Sequence, residues 1–61
     1  MDEATYMWTD KRGQLVRYVR GEKGLNALLR MREYSIELKM KHRGMTYEEA
    51  EREWGTITRV D

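Results

Sequence analysis

The sequence predicts a small α+β domain: an N-terminal β-hairpin packed on a long central helix, followed by a short capped helix. Three observations predict this fold. Strand-forming residues flank a turn near the N-terminus, apolar residues recur at helical spacing over residues 25–43, and a capping signal at Thr46 marks a second helix. We expect a single domain over residues 1–61, because a chain of 61 residues holds one marginal core.

The hairpin is predicted from two segments and the turn between them. Residues 5–9 and 15–19 are rich in β-branched and aromatic side chains, which favour strands. The intervening residues begin with Asp10 and end with Gly13, a pattern typical of a type I turn closed by a left-handed residue. The register that follows places the aromatic side chains in cross-strand pairs on one face. The predicted pairs are Asp10 with Gln14, Trp8 with Val16 and Tyr6 with Tyr18.

The central helix is predicted over residues 25–43, after a polar connection at residues 20–24, and Gly44 ends it. At about 100° per residue, its apolar side chains fall into two stripes. One stripe can line the core, whereas the other needs the second helix, a second copy or a partner. The first stripe contains Leu25, Leu29, Ile36 and Met40, and the second contains Ala27, Leu28, Met31, Tyr34 and Leu38.

The second helix begins with the strongest local signal of the chain. Thr46 and Glu49 have the spacing of a capping box, and Gly55 is a stop signal. Residues 56–60 favour extended structure through their β-branched side chains. The sequence leaves open whether they form a third, C-terminal strand or a tail.

Residues 44–55 resemble the first helix and turn of helix-turn-helix proteins. That class needs a recognition helix next, and only residues 56–61 follow here. We therefore do not predict a complete helix-turn-helix.

Composition narrows the class of protein. The chain has no cysteine, which excludes disulfides and thiolate metal sites. Its longest apolar run covers three residues, and its first residues lack the basic segment of a signal peptide. We expect a cytoplasmic protein with no membrane partner.

Few residues could support catalysis, since the chain has one histidine, His42, and one serine, Ser35. The sequence predicts no catalytic residues, no metal site, no cofactor and no small-molecule substrate. We therefore expect a protein that is not an enzyme.

The charges are segregated along the chain. Residues 1–10 carry a net charge of −3, residues 11–43 a net charge of +7, and residues 44–61 a net charge of −3. Such a basic segment is typical of phosphate contact, and aromatic side chains beside it could stack on bases. Nucleic-acid binding is thus one of two functional hypotheses. Its candidate residues are Arg12, Arg17, Arg20 and Lys23, and its candidate aromatics are Tyr6, Trp8 and Tyr18.

The other hypothesis is protein binding, and we favour it because the long helix carries more apolar surface than so small a chain can cover. It predicts a small regulatory or accessory module, of a size common among phage and mobile-element proteins, that binds a protein partner or forms a homodimer. The candidate contact residues are Leu28, Met31, Leu38 and Trp8, with Trp8 expected to be exposed.

Overall fold

A computed structural model of the chain describes residues 3–61 and confirms the α+β fold. Its elements are, in chain order, β1 (Thr5–Thr9), β2 (Leu15–Arg20), α1 (Gly21–Arg43), α2 (Tyr47–Glu53) and β3 (Thr56–Arg59). The strands form one antiparallel sheet in the order β2-β1-β3. The segment whose structure the sequence left open is therefore a third strand, and it makes β1 the central strand.

The turn of the hairpin has the predicted form. The amide of Asp10 donates to the carbonyl of Gln14 at 2.9 Å, and the amide of Gly13 donates to the carbonyl of Asp10 at 3.0 Å. Gly13 has a φ of +82°, the left-handed conformation that the turn requires. The carboxylate of Asp10 also accepts from the amides of Arg12 and Gln14, each at 2.9 Å, which fixes the loop.

The predicted register is wrong by one residue beyond the turn. Thr9 pairs with Leu15, but an irregularity between Trp8 and Thr9 shifts the later pairs. An extra residue on one strand is the definition of a β-bulge, and the turn signals do not encode it. The side chain of Tyr18 therefore lies on the face opposite to Trp8. The observed pairs are Trp8 with Arg17, Met7 with Tyr18 and Tyr6 with Val19.

Helix α1 begins at Gly21, four residues before the predicted start, and no side chain caps it. The amide of Gly21 donates to the carbonyl of Ala4 at 2.8 Å, so the helix starts directly against β1. Gly24 lies inside the helix, where an added Cβ would come within 2.9 Å of the Cβ of Val19. The glycines of the predicted connection instead allow the first turn of α1 to approach the sheet closely.

Helix α2 begins at the predicted capping box. Thr46 accepts a hydrogen bond from the amide of Glu49 at 3.2 Å, and the carboxylate of Glu49 accepts from the amide of Thr46 at 2.9 Å. The guanidinium of Arg32 in α1 donates to the carbonyl of Gly55 at 2.6 and 3.1 Å, which holds the end of α2 on the long helix. Strand β3 follows at once, so the residues after α2 form no recognition helix.

The core within residues 3–61 is very small. Its buried apolar side chains are Trp8, Leu28, Ile36 and Ala50, contributed by β1, α1 and α2. No helix in this part of the chain is long and apolar enough to cross a membrane. Because so few side chains are buried, much of the apolar surface of α1 is left in contact with solvent.

Candidate protein-interaction surface

The buried face of α1 runs between the two apolar stripes predicted from the sequence. Leu28, from one stripe, and Ile36, from the other, are both fully buried. Leu25, Ser35 and Lys39 border them and are half-buried. Each stripe therefore contributes to the core, and each also retains exposed apolar residues on its outer side.

One of these outer sides forms a continuous apolar surface, which we call the α1 strip: Ala27, Met31, Tyr34 and Leu38. All four side chains are exposed, with exposed fractions of 37% for Met31, 62% for Tyr34 and 37% for Leu38. They lie within about 60° of the helix circumference and extend over roughly 16 Å. The middle of the strip lies about 120° around the helix from the buried face, so it points away from the sheet.

The strip is bordered by β2 on one side. The guanidinium of Arg17 lies 3.4 Å from the sulfur of Met31. At the C-terminal end, Leu38 also lines a groove of about 380 Å³ that reaches Trp54. The remaining residues around this groove are Ser35, Lys39, His42 and Arg43.

The opposite flank of α1 is apolar only in part. Leu29 and Met40 are 46% and 37% exposed, but Glu33 lies between them on the helix surface. The hydroxyl of Tyr47 in α2 donates to the Glu33 carboxylate at 2.8 and 3.0 Å, and this hydrogen bond raises the pKa of Tyr47. A polar contact with α2 thus interrupts this flank, whereas the polar contact of the α1 strip is that of the Arg17 guanidinium with the Met31 sulfur, on the border with β2.

Two of the four predicted partner-contact residues are not available at the surface. Trp8 is 3% exposed, so its expected exposure is wrong, and Leu28 is fully buried in the core. Trp8 is buried because the face of β1 that carries it packs on α1, and Leu28 is buried because it lies on the core face of α1. Met31 and Leu38 are exposed as expected. Ala27 and Tyr34, placed on the same stripe by the sequence, complete the surface.

The four predicted phosphate-contact residues do not come together. Arg12 lies in the hairpin turn, and Lys23 lies in the first turn of α1. The pairing of Arg17 with Trp8 and of Arg20 with Thr5 places these two arginines on opposite faces of the sheet. All four are exposed, and none forms an ion pair within residues 3–61. They are free cations on different faces and do not line one groove.

The outer face of the sheet is a second exposed surface, and the sequence did not identify it. Leu15 and Tyr18 are 53% and 65% exposed there. The sequence did not place Tyr18 on this face because the strand register depends on the bulge. The other residues of this face are mainly threonines, as expected for an antiparallel sheet with one face in water. These threonines are Thr5, Thr9, Thr56 and Thr58.

Within residues 3–61, no three histidine, cysteine or carboxylate side chains are grouped so that they could hold a metal ion. No family model, curated protein or solved structure matches this chain.

Proposed function

We propose that this chain is a small non-enzymatic accessory module of the cytoplasm that acts by binding another polypeptide through the α1 strip. The observation that supports the proposal most directly is the exposure of four apolar side chains, one per turn, on one flank of α1. Apolar surface of this kind, held on a rigid helix, is the usual basis of helix-mediated recognition. Burial of Met31, Tyr34 and Leu38 against a partner would remove that surface from water.

The experiment compares two matched double variants in affinity capture from native extract, with and without nuclease. Met31→Glu with Leu38→Glu alters the strip, and Leu29→Glu with Met40→Glu alters the opposite flank of the same helix. Both variants replace apolar side chains of similar exposure and add the same charge. We expect the polypeptides retained by the wild type to be retained by the second variant and lost from the first.

The same experiment tests the nucleic-acid hypothesis. Partners that disappear on nuclease treatment would contradict binding through the strip, as would a set of captured polypeptides unchanged by Met31→Glu with Leu38→Glu. Circular dichroism of each variant establishes that the fold is intact before the captured sets are compared. The placement of Arg17 and Arg20 on opposite faces of the sheet gives the nucleic-acid hypothesis less support.

A further inference from the structure

We propose that the polypeptide that covers the α1 strip is a second copy of this chain, bound antiparallel about a two-fold axis between residues 32 and 33. This inference rests on the proposed function, because it names the occupant of the same surface. It is argued from the spacing of the strip residues, from the charges beside them and from the surface area of the monomer.

The strip is self-complementary when two copies run antiparallel. Its residues are four, three and four positions apart, which is the alternation of a two-helix seam. About the proposed axis, Ala27 faces Leu38 of the second copy, and Met31 faces Tyr34 of the second copy. A small side chain thus meets a large one, and a thioether meets an aromatic ring, which is a favourable contact for methionine.

Charges beside the strip select the antiparallel direction. Arg30 and Glu37 are exposed on the same border of the strip, and neither forms an ion pair within the described part of the chain. In the antiparallel arrangement, Arg30 lies about 3 Å along the helix axis from the level of Glu37 of the second copy, and symmetry creates this pair twice. In a parallel two-fold pair, the border that carries Arg30 and Glu37 would face the opposite border of the second copy, so these two side chains would not meet. Lys23 and Lys41 approach each other only at the exposed ends, where salt screens their repulsion.

The monomer leaves more surface in water than a compact chain of its mass. Its accessible area is 4904 Å², whereas the size scaling of folded monomers gives about 4200 Å² for a 7.4 kDa chain. The difference of roughly 700 Å² belongs to the whole elongated molecule, and covering the strip on both copies would reduce it. Because the strip lies about 120° from the buried face, the two sheets diverge and leave the helices free to meet.

The first test is the mass of the purified chain at increasing concentration, measured by sedimentation equilibrium. We expect a dimer for the wild type and for Leu29→Glu with Met40→Glu, and a folded monomer for Met31→Glu with Leu38→Glu. Arg30→Glu and Glu37→Arg should each weaken the dimer about tenfold, since each replaces two attractive pairs by repulsive ones. The double variant R30E/E37R should restore the wild-type affinity, and failure to restore it would overturn the proposed arrangement.

The second test determines direction and uses the absence of natural cysteine. In the antiparallel dimer, a mixture of Ala27→Cys and Leu38→Cys chains should form a disulfide-linked heterodimer on oxidation. Each variant alone should stay uncrosslinked, because its two cysteines lie about 16 Å apart along the axis. Crosslinking of each variant with itself, without the heterodimer, would show a parallel pair and overturn the inference.

The two proposals fail separately. A wild-type chain that stays monomeric at every concentration overturns self-association, while strip-dependent capture of a different polypeptide would still support the proposed function. A dimer that survives Met31→Glu with Leu38→Glu overturns the role of the strip in self-association, and capture with the same variant then decides the proposed function independently.

Discussion

Trp8 and Trp54, which are 46 residues apart in the chain, contact each other with their ring centroids 5.6 Å apart and their planes tilted by 53°. The indole of Trp8 donates to the carbonyl of Trp54, and the indole of Trp54 donates to the carbonyl of Ser35 at 3.1 Å. One continuous series of contacts therefore joins β1, the end of α2 and the middle of α1. In a core of so few side chains, this series fixes the orientation of the long helix relative to the sheet.

The two indole hydrogen bonds lead us to expect that replacing each tryptophan by phenylalanine lowers stability, and that Trp8 matters more than Trp54. Trp54→Phe keeps a ring at the contact but loses the hydrogen bond to Ser35, and we expect it to lower the free energy of unfolding by about 1–2 kcal/mol. Trp8→Phe should cost more, because it removes a hydrogen bond of the same kind and also reduces the volume of a side chain that is only 3% exposed. Urea denaturation followed by circular dichroism measures both. Tyr18→Phe, at a side chain 65% exposed, is the control, and an equal loss in all three variants would contradict the prediction.

Gly55 and Gly44 form a matched pair that separates backbone strain from steric contact. Both have positive φ, +68° and +66°, yet an added Cβ at Gly55 would lie 1.9 Å from the carbonyl oxygen of Thr9, whereas the space at Gly44 is open. Gly44→Ala should therefore cost only the left-handed strain, about 1–2 kcal/mol. Gly55→Ala must displace β1 backbone as well, and we expect it to prevent folding. Thermal unfolding of the two variants tests this, and similar melting temperatures would show that the contact is relieved easily.

Local signals in the sequence predicted the hairpin turn and the start of α2, whereas the third strand, the start of α1 and the burial of side chains depend on long-range packing. The Asp10 to Gly13 turn and the Thr46 capping box are complete within a few residues, so both were predicted correctly. The burial of Trp8 was not, because it depends on which face of β1 meets α1. Long-range packing also decides which residues of the predicted apolar stripe are exposed. Met31 was predicted correctly to be exposed, whereas Leu28, three residues before it on the same stripe, belongs to the core.

The contacts of Glu53 with Lys11 and Lys39 lead us to expect that the protein loses stability in acid. The hydrogen bond from Lys11 and the nearby ammonium of Lys39, 3.6 Å away, lower the pKa of the Glu53 carboxyl below its ordinary value of 4.5. Because the folded pKa is the lower one, the stabilisation is fully present above pH 4.5 and is lost as the pH falls through the folded pKa. Urea titrations at about pH 6 and about pH 3 should show a smaller acid loss in Glu53→Gln than in the wild type.

The control for this titration is Glu48→Gln in the same helix. Glu48 forms no ion pair within residues 3–61, so its replacement should change the acid loss less than Glu53→Gln does. Because Lys39 also lowers the pKa of Glu53, Lys39→Met should reproduce part of the effect. An acid loss identical in the wild type and in Glu53→Gln would show that other carboxylates dominate.

The arrangement of the cations predicts how the chain responds to salt in the presence of nucleic acid. Arg17 and Arg20 lie on opposite faces of the sheet, and Arg12 lies at the far end of the hairpin from Lys23, so we expect no more than two of the four to contact phosphates together. Two contacts give a slope of log affinity against log salt of about −1.8, a loss of about 12-fold between 50 and 200 mM, whereas four give about −3.6 and a loss of about 150-fold. Fluorescence anisotropy with a labelled duplex measures this slope. A slope near the steeper value, reduced by Arg20→Ala and Lys23→Ala, would show that the basic residues act as one site and would favour nucleic acid over a polypeptide partner.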